Sequence, residues 1–143
     1  MVAVDPERLA VWRRFVVAHA AIERMLTRAL QVERDMPLAW FEVLAALQVA
    51  DGRLRVMELA ETVMVNPSSL SRQLDRIEEA GLIRRERSGG DEDARAVAVV
   101  LTRDGRARWR AANTTYQRVV RKAFTQHLTD TDVTALSRVF TKV

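Results

Sequence analysis

Asn66-Pro67-Ser68-Ser69-Leu70-Ser71-Arg72-Gln73-Leu74-Asp75-Arg76-Ile77-Glu78-Glu79-Ala80-Gly81 carries both a helix start and a helix stop. Asn66 offers a side-chain oxygen to the free N–H groups of a first turn. Pro67 follows where its missing N–H costs nothing and its fixed φ is already helical, and it drives Asn66 out of the α region, as a cap requires. Gly81 can take the left-handed conformation that closes a helix. Between these stops, Leu70, Leu74 and Ile77 recur at helical spacing and form one narrow apolar stripe. The opposite side holds Ser68, Ser69, Arg72 and Arg76. Short hydroxyls near the N-terminus with arginines one turn later suit a helix that enters the DNA major groove end-first. Arginine grips guanine bidentately, and serine contacts bases or phosphates. Glu78 and Glu79 repel phosphate, so only the N-terminal half is expected to lie close to DNA. Taken alone, the stretch reads equally as an ordinary amphipathic surface helix.

Its neighbours shift that balance. Upstream, Val56 to Val63 carries Met57, Leu59, Ala60 and Val63 at helical spacing, and Met64-Val65-Asn66 is a tight turn. Two short helices joined by about three residues, the second polar and arginine-bearing, match a helix-turn-helix. Downstream the period changes. Leu82 to Arg87 reads as a strand, Ser88 to Asp93 as a turn-rich loop, and Val97, Val99 and Leu101 as the returning strand. A β-hairpin directly after a recognition helix makes a winged helix. Arg84, Arg85 and Arg87 stand at the base of the hairpin, and Arg95 lies beyond its loop.

The flanks are helical. From Pro6 to about Glu33, with Asp5 as the cap, Leu9, Trp12, Phe15, Val16, His19, Ile22, Leu26, Ala29 and Leu30 keep a helical period without a break. A helix this long in so small a chain has too little of its own domain to lie against, so part of its face is expected to pack on a second subunit. Pro37 opens another helix, Leu38 to Val49, with Trp40, Phe41, Val43, Leu44 and Leu47 facing inward. Asp51-Gly52 is a turn, and Arg53 to Arg55 suffices only for a small strand. Thr102 caps a helix running to about His127. Thr129 with Asp132 resembles a capping box opening a last helix that ends at Val143.

The 143 residues suit one domain with helical extensions, and an apolar content of 48% supports a real core. No apolar run reaches the ~18 residues of a membrane span, and Met1 to Arg14 lacks a secretory signal core. The absence of cysteine removes disulfides and thiolate metal sites and agrees with a cytoplasmic location. A net charge of +4 permits nucleic-acid binding without proving it. No catalytic arrangement is visible. Ser68, Ser69 and Ser71 have no histidine nearby in sequence, and Gly89-Gly90 lacks phosphate-loop spacing. An enzyme is not expected, and no cofactor or metal is implied.

Taken in order, Glu58-Leu59-Ala60, Pro67-Ser68-Ser69-Leu70-Ser71-Arg72, Leu74-Asp75-Arg76-Ile77-Glu78, Gly81-Leu82-Ile83, Asp93-Ala94-Arg95 and Leu101-Thr102 with Gly105 resemble the MarR family of winged-helix regulators. The resemblance runs the length of the chain. The Asp-x-Arg wing and the Leu-Thr-x-x-Gly restart are its specific parts. It implies a mainly α fold with a small β-hairpin wing: a winged helix-turn-helix over 37–101, flanked by dimerisation helices at 6–33 and 102–143. It also implies an obligate homodimer on a pseudo-palindromic operator in double-stranded DNA, with half-sites about 10 base pairs apart. Carried over by position, Ser68, Ser69 and Arg72 contact bases or nearby phosphates, and Arg76 adds a further contact. Arg95 enters the minor groove, with Asp93 orienting its loop. Arg53, Arg55, Arg84 and Arg87 are phosphate candidates. The sequence departs from the family pattern at Ala94, where another arginine is common, and in the acidic run Asp91, Glu92, Asp93.

The resemblance further implies a pocket for a small aromatic effector between the dimer helices and the winged helix. Trp12, His19, Trp40 and Phe41 are its candidate lining, although aromatics at helical spacing serve equally as plain core. His19 falls on the apolar stripe of the first helix and is expected to be buried and hydrogen-bonded. His127 lies at the junction of the last two helices. Both are candidate proton switches at a dimer seam. The implied activity is transcriptional regulation, favouring repression by occlusion. The rival reading is a winged-helix dimer that acts as a protein-interaction scaffold.

Overall fold

The structure, a computed structural model, describes residues 2–87 and 97–143. The elements follow in the order α1 (Pro6–Arg34), α2 (Leu38–Val49), β1 (Arg53–Arg55), α3 (Val56–Val63), α4 (Pro67–Glu79), β2 (Ile83–Arg87), β3 (Val97–Leu101), α5 (Arg103–Ala123) and α6 (Asp130–Phe140). The expected loop from Ser88 to Asp93 and the wing residue Arg95 lie outside the described residues.

The local start and stop signals work as the side chains dictate. Asp5 accepts from the Glu7 backbone N–H at 2.8 Å and caps α1. At the other end of the chain, Thr129 and Asp132 exchange both bonds of a capping box. Asp35, in the left-handed region at φ 48°, closes α1 and turns the chain into α2.

Phe41, Val43, Leu44 and Leu47 make α2 the buried centre of the winged helix. Against it pack Leu59 of α3, Leu70, Leu74 and Ile77 of α4, and Ile83, Val99 and Leu101 of the sheet. The three strands are antiparallel in the order β1-β3-β2, with Arg53 opposite Val100 and Ile83 opposite Leu101.

Two expectations about the flanks need correction. The sequence from Thr102 to His127 has no Gly or Pro after Gly105 to stop a helix, yet α5 ends at Ala123. Phe124 leaves the helical region at φ −137°, ψ −65°, and a single 3-10 turn, Thr125–His127, follows. Tertiary packing overrides local propensity here: the turn brings the chain back as α6, and Phe140 reaches the Phe15 ring at 6.1 Å. The last helix also ends at Phe140 and not at Val143.

The joint between α1 and α5 is polar. Arg34 Nε donates to Thr115 Oγ1 at 2.9 Å, and Thr115 Oγ1 donates to Glu33 Oε2 at 3.0 Å. Arg118 pairs with the same carboxylate. Thr115 is fully buried, so these bonds satisfy a hydroxyl that would otherwise be stranded. The Arg118 bond, helped by the Thr115 hydroxyl, holds the Glu33 carboxyl below its usual range.

The N-terminal half of α1 has no such cover. Only Leu26 and Leu30 of this helix are buried, while Val11, Trp12, Phe15 and Val16 are exposed.

Candidate nucleic-acid interface

Helix α4 presents the chemistry that its sequence promises. Asn66 Oδ1 accepts from Ser68 N at 2.9 Å, with Pro67 at the first helical position. Gly81 stands at φ +79°, a conformation that a side chain strains. Leu70, Leu74 and Ile77 are fully buried, which fixes the rotation of the helix about its axis. Ser68, Ser69, Arg72 and Arg76 are therefore all exposed together. Among the described residues, nothing forms an ion pair with Arg72 or Arg76.

The acidic flank of the same helix is occupied. Arg85 of β2 pairs with both Asp75 and Glu78. Its backbone N–H also donates to Glu78 Oε2 at 2.7 Å. Glu78, expected to repel phosphate, thus shares the Arg85 charge with Asp75 and bolts α4 to the hairpin. The Asp75 bond, and after it the bonds to Glu78, keep the Arg85 guanidinium firmly charged. Arg85 was missed as a positioning residue, yet strand alternation holds the signal. Ile83 and Arg85 point to one face of β2, and Arg84 and Glu86 to the other.

That second face holds a small charge network. Arg53 Nη1 donates to Glu86 Oε2 at 2.6 Å, and Arg84 Nε to Glu86 Oε1 at 2.9 Å. Two phosphate candidates therefore share one carboxylate, which Arg53 first and Arg84 second hold below its usual range. Arg55 and Arg87 are exposed.

The four residues expected to line one pocket are not brought together. His19 lines a cavity of about 330 Å³ between α1, α2 and α5, with Phe15, Leu26, Leu38, Glu42, Tyr116 and Phe124 among its other walls. Phe41 is buried and stacks on Tyr116 at 4.5 Å, facing a neighbouring groove between α2, α3 and α5. Trp40 packs against the core of the winged helix. Trp12 lies farther along α1 beside Phe15, at 6.0 Å between ring centroids. Helical periodicity groups residues by face, but α1 is long enough for one face to meet several neighbours. For the same reason His19 is not buried in the chain. Its side chain is 67% exposed, and Nδ1 lies 3.9 Å from Glu23 Oε2. His127 is exposed as well.

Comparison with known proteins places this architecture. The sequence model of the MarR family matches residues 34–92, which hold the helix-turn-helix and the start of the wing. Over these residues the chain is similar to the MarR family. Solved structures of MarR-family proteins superpose on far more than that stretch. AbsC, a MarR family transcriptional regulator from Streptomyces coelicolor, is 28% identical with a TM-score of 0.85, over 97% of this chain and 93% of its own. Sco3205, a MarR family transcriptional regulator from the same organism solved in complex with DNA, is 29% identical with a TM-score of 0.86, over 98% and 87%. A MarR variant from E. coli complexed with operator DNA is 25% identical with a TM-score of 0.77, over 99% and 98%. None of the curated proteins matches the sequence. MarR-family proteins are transcription factors and not enzymes. No helix among the described residues is long and apolar enough to cross a membrane.

Proposed function

We propose that the chain is a cytoplasmic, homodimeric transcriptional regulator that reads a pseudo-palindromic operator and represses by occlusion. One observation carries this reading: Ser68, Ser69, Arg72 and Arg76 share the exposed face of a capped helix, and Arg85 offsets part of the negative charge on its acidic flank. A helix so arranged meets the major groove with hydroxyls and guanidinium groups, and the nearby carboxylates oppose phosphate less. The DNA complexes of Sco3205 and E. coli MarR, which share the fold, support it.

The exposed apolar half of α1, with Val133, Val139 and Phe140 of α6, supports a partner copy across this face. Two copies place two recognition helices on half-sites about one helical turn, ~10 base pairs, apart. Arg95 on the wing completes the contact in the minor groove. A small aromatic effector in the cavity between α1, α2 and α5 sets the spacing of the two helices, provided it binds one arrangement better than the other.

Selection from a randomised duplex pool tests the reading. An inverted repeat should be enriched, with affinity falling steeply as salt rises. On that site Arg72→Ala should lose about 1–3 kcal/mol and relax specificity at the position it reads. A pool that enriches nothing, with a dimer confirmed, favours the scaffold reading.

Glu86→Gln runs the other way. It removes the carboxylate shared by Arg53 and Arg84. Affinity should rise and the salt dependence should steepen by up to about one phosphate contact per subunit. An unchanged salt slope shows that neither arginine faces DNA.

A further inference from the structure

The cavity between α1, α2 and α5 has a mixed lining. Its walls are apolar and aromatic, from Phe15, Leu38, Tyr116 and Phe124. Besides the hydroxyl-bearing Tyr116, its polar residues are His19, Glu23 and Glu42, and neither lysine nor arginine lines it. The chain as a whole carries 23 Lys and Arg against 19 Asp and Glu, so an acidic, aromatic cavity runs against the overall charge. Elsewhere in the structure, Glu33, Glu78 and Glu86 each have an arginine partner. Glu42 has no ion pair among the described residues. Desolvation pushes its carboxyl above the usual range, and the charge of Glu23 adds to the shift. An anionic ligand entering this space meets two carboxylates and no fixed positive charge. A neutral one leaves their repulsion in place.

We infer that this cavity takes a small organic cation, an ammonium group on an aromatic or aliphatic body, with Glu42 and Glu23 as counter-charges and the Phe15, Tyr116 and Phe124 rings around it. A volume of about 330 Å³ accommodates one substituted ring and its ammonium head. Aromatic faces attract a cation through their quadrupole, here beside two carboxylates that remain exposed to solvent. The inference rests on the effector control proposed above and names the class of effector.

The test uses the whole 143-residue chain and three probes of similar size, titrated calorimetrically: benzyltrimethylammonium, phenol and benzoate. Benzyltrimethylammonium should bind best, and Glu42→Gln should weaken it by about tenfold while leaving phenol unchanged. Glu23→Gln should weaken it in the same direction. Glu7→Gln, which removes the same charge at the start of α1, should not. Equal or tighter binding of benzoate, or a cation affinity indifferent to Glu42→Gln and Glu23→Gln, overturns the inference. So does the failure of all three probes to bind, which means that a partner copy fills the cavity. Operator binding is measured on the same samples without probe. Intact DNA binding with no cation binding removes this inference alone. Loss of both removes the regulator reading with it.

Discussion

Gly105→Ala is expected to prevent stable folding of the winged helix. A Cβ at position 105 would stand 1.9 Å from the Leu82 carbonyl oxygen and 2.9 Å from Leu101 Cδ1. Real atoms do not approach so closely, and the obstacle is backbone with no rotamer to change. The surrounding bonds leave little room for retreat. Thr102 Oγ1 donates to Gly81 O at 2.7 Å and accepts from Gly105 N at 3.0 Å, while Thr102 N donates to Leu82 O at 3.1 Å. The first turn of α5 is thus stitched to the segment that leaves α4. Shifting it displaces α4, β2 or both. A loss of roughly 4 kcal/mol or more is expected, large for a single methyl group. Thermal melting followed by circular dichroism checks it. A midpoint within about 5 °C of the parent, roughly a 1 kcal/mol effect, would mean that α5 is not held against Leu82 as the structure shows.

Trp12→Glu is expected to break the proposed dimer and with it the affinity for a two-half-site operator. Trp12 is 59% exposed, beside the exposed Phe15, Val16 and Phe140. A carboxylate placed under a second copy there finds no partner among these side chains, and an unpaired buried charge is strongly unfavourable. The recognition surface on α4 is untouched, so each monomer keeps its own contacts. What is lost is the link between them, which makes the second half-site bind as if at high local concentration. A fall of about 10²–10⁴ in operator affinity follows. Sedimentation should show monomers, and the residual DNA binding should match that of a single half-site duplex. A variant that stays dimeric and binds normally places the subunit contact elsewhere.

The parts of the fold readable from sequence are those decided by neighbours in the chain. Asn66 with Pro67, Asp5 with Pro6, and Thr129 with Asp132 each act within a turn, so residue type and spacing suffice. The exposed face of α4 was legible for a related reason: burying Leu70, Leu74 and Ile77 leaves Ser68, Ser69, Arg72 and Arg76 nowhere to point but outward. Partners across the fold were not legible. The end of α5 at Ala123 is set by packing, and no residue there signals it. The pairing of Glu86 with Arg53 needs the register of β1 and β2 on β3. Gly105 was visible as part of a motif, but its reason appears only once α5 lies on the Leu82 carbonyl. His19 shows the opposite failing. Its place on an apolar stripe was read as burial, whereas it borders the open cavity between α1, α2 and α5.

Helix α5 is clamped twice, by Gly105 to the winged helix and by Thr115 to the end of α1. It therefore works as a drive shaft. The recognition helix cannot swing against α1 without tearing one clamp or bending the shaft between them. In the proposed dimer, any change in the gap between the two α4 helices must then arise where one copy meets the other. The gearing is favourable. Twenty-one residues make a shaft of roughly 31 Å, and tilting it by about 10° carries its far end about 5 Å. That exceeds the ~3.4 Å step between stacked base pairs, so in the proposed dimer on DNA a small turn at the seam would be enough to throw both helices out of register with their grooves.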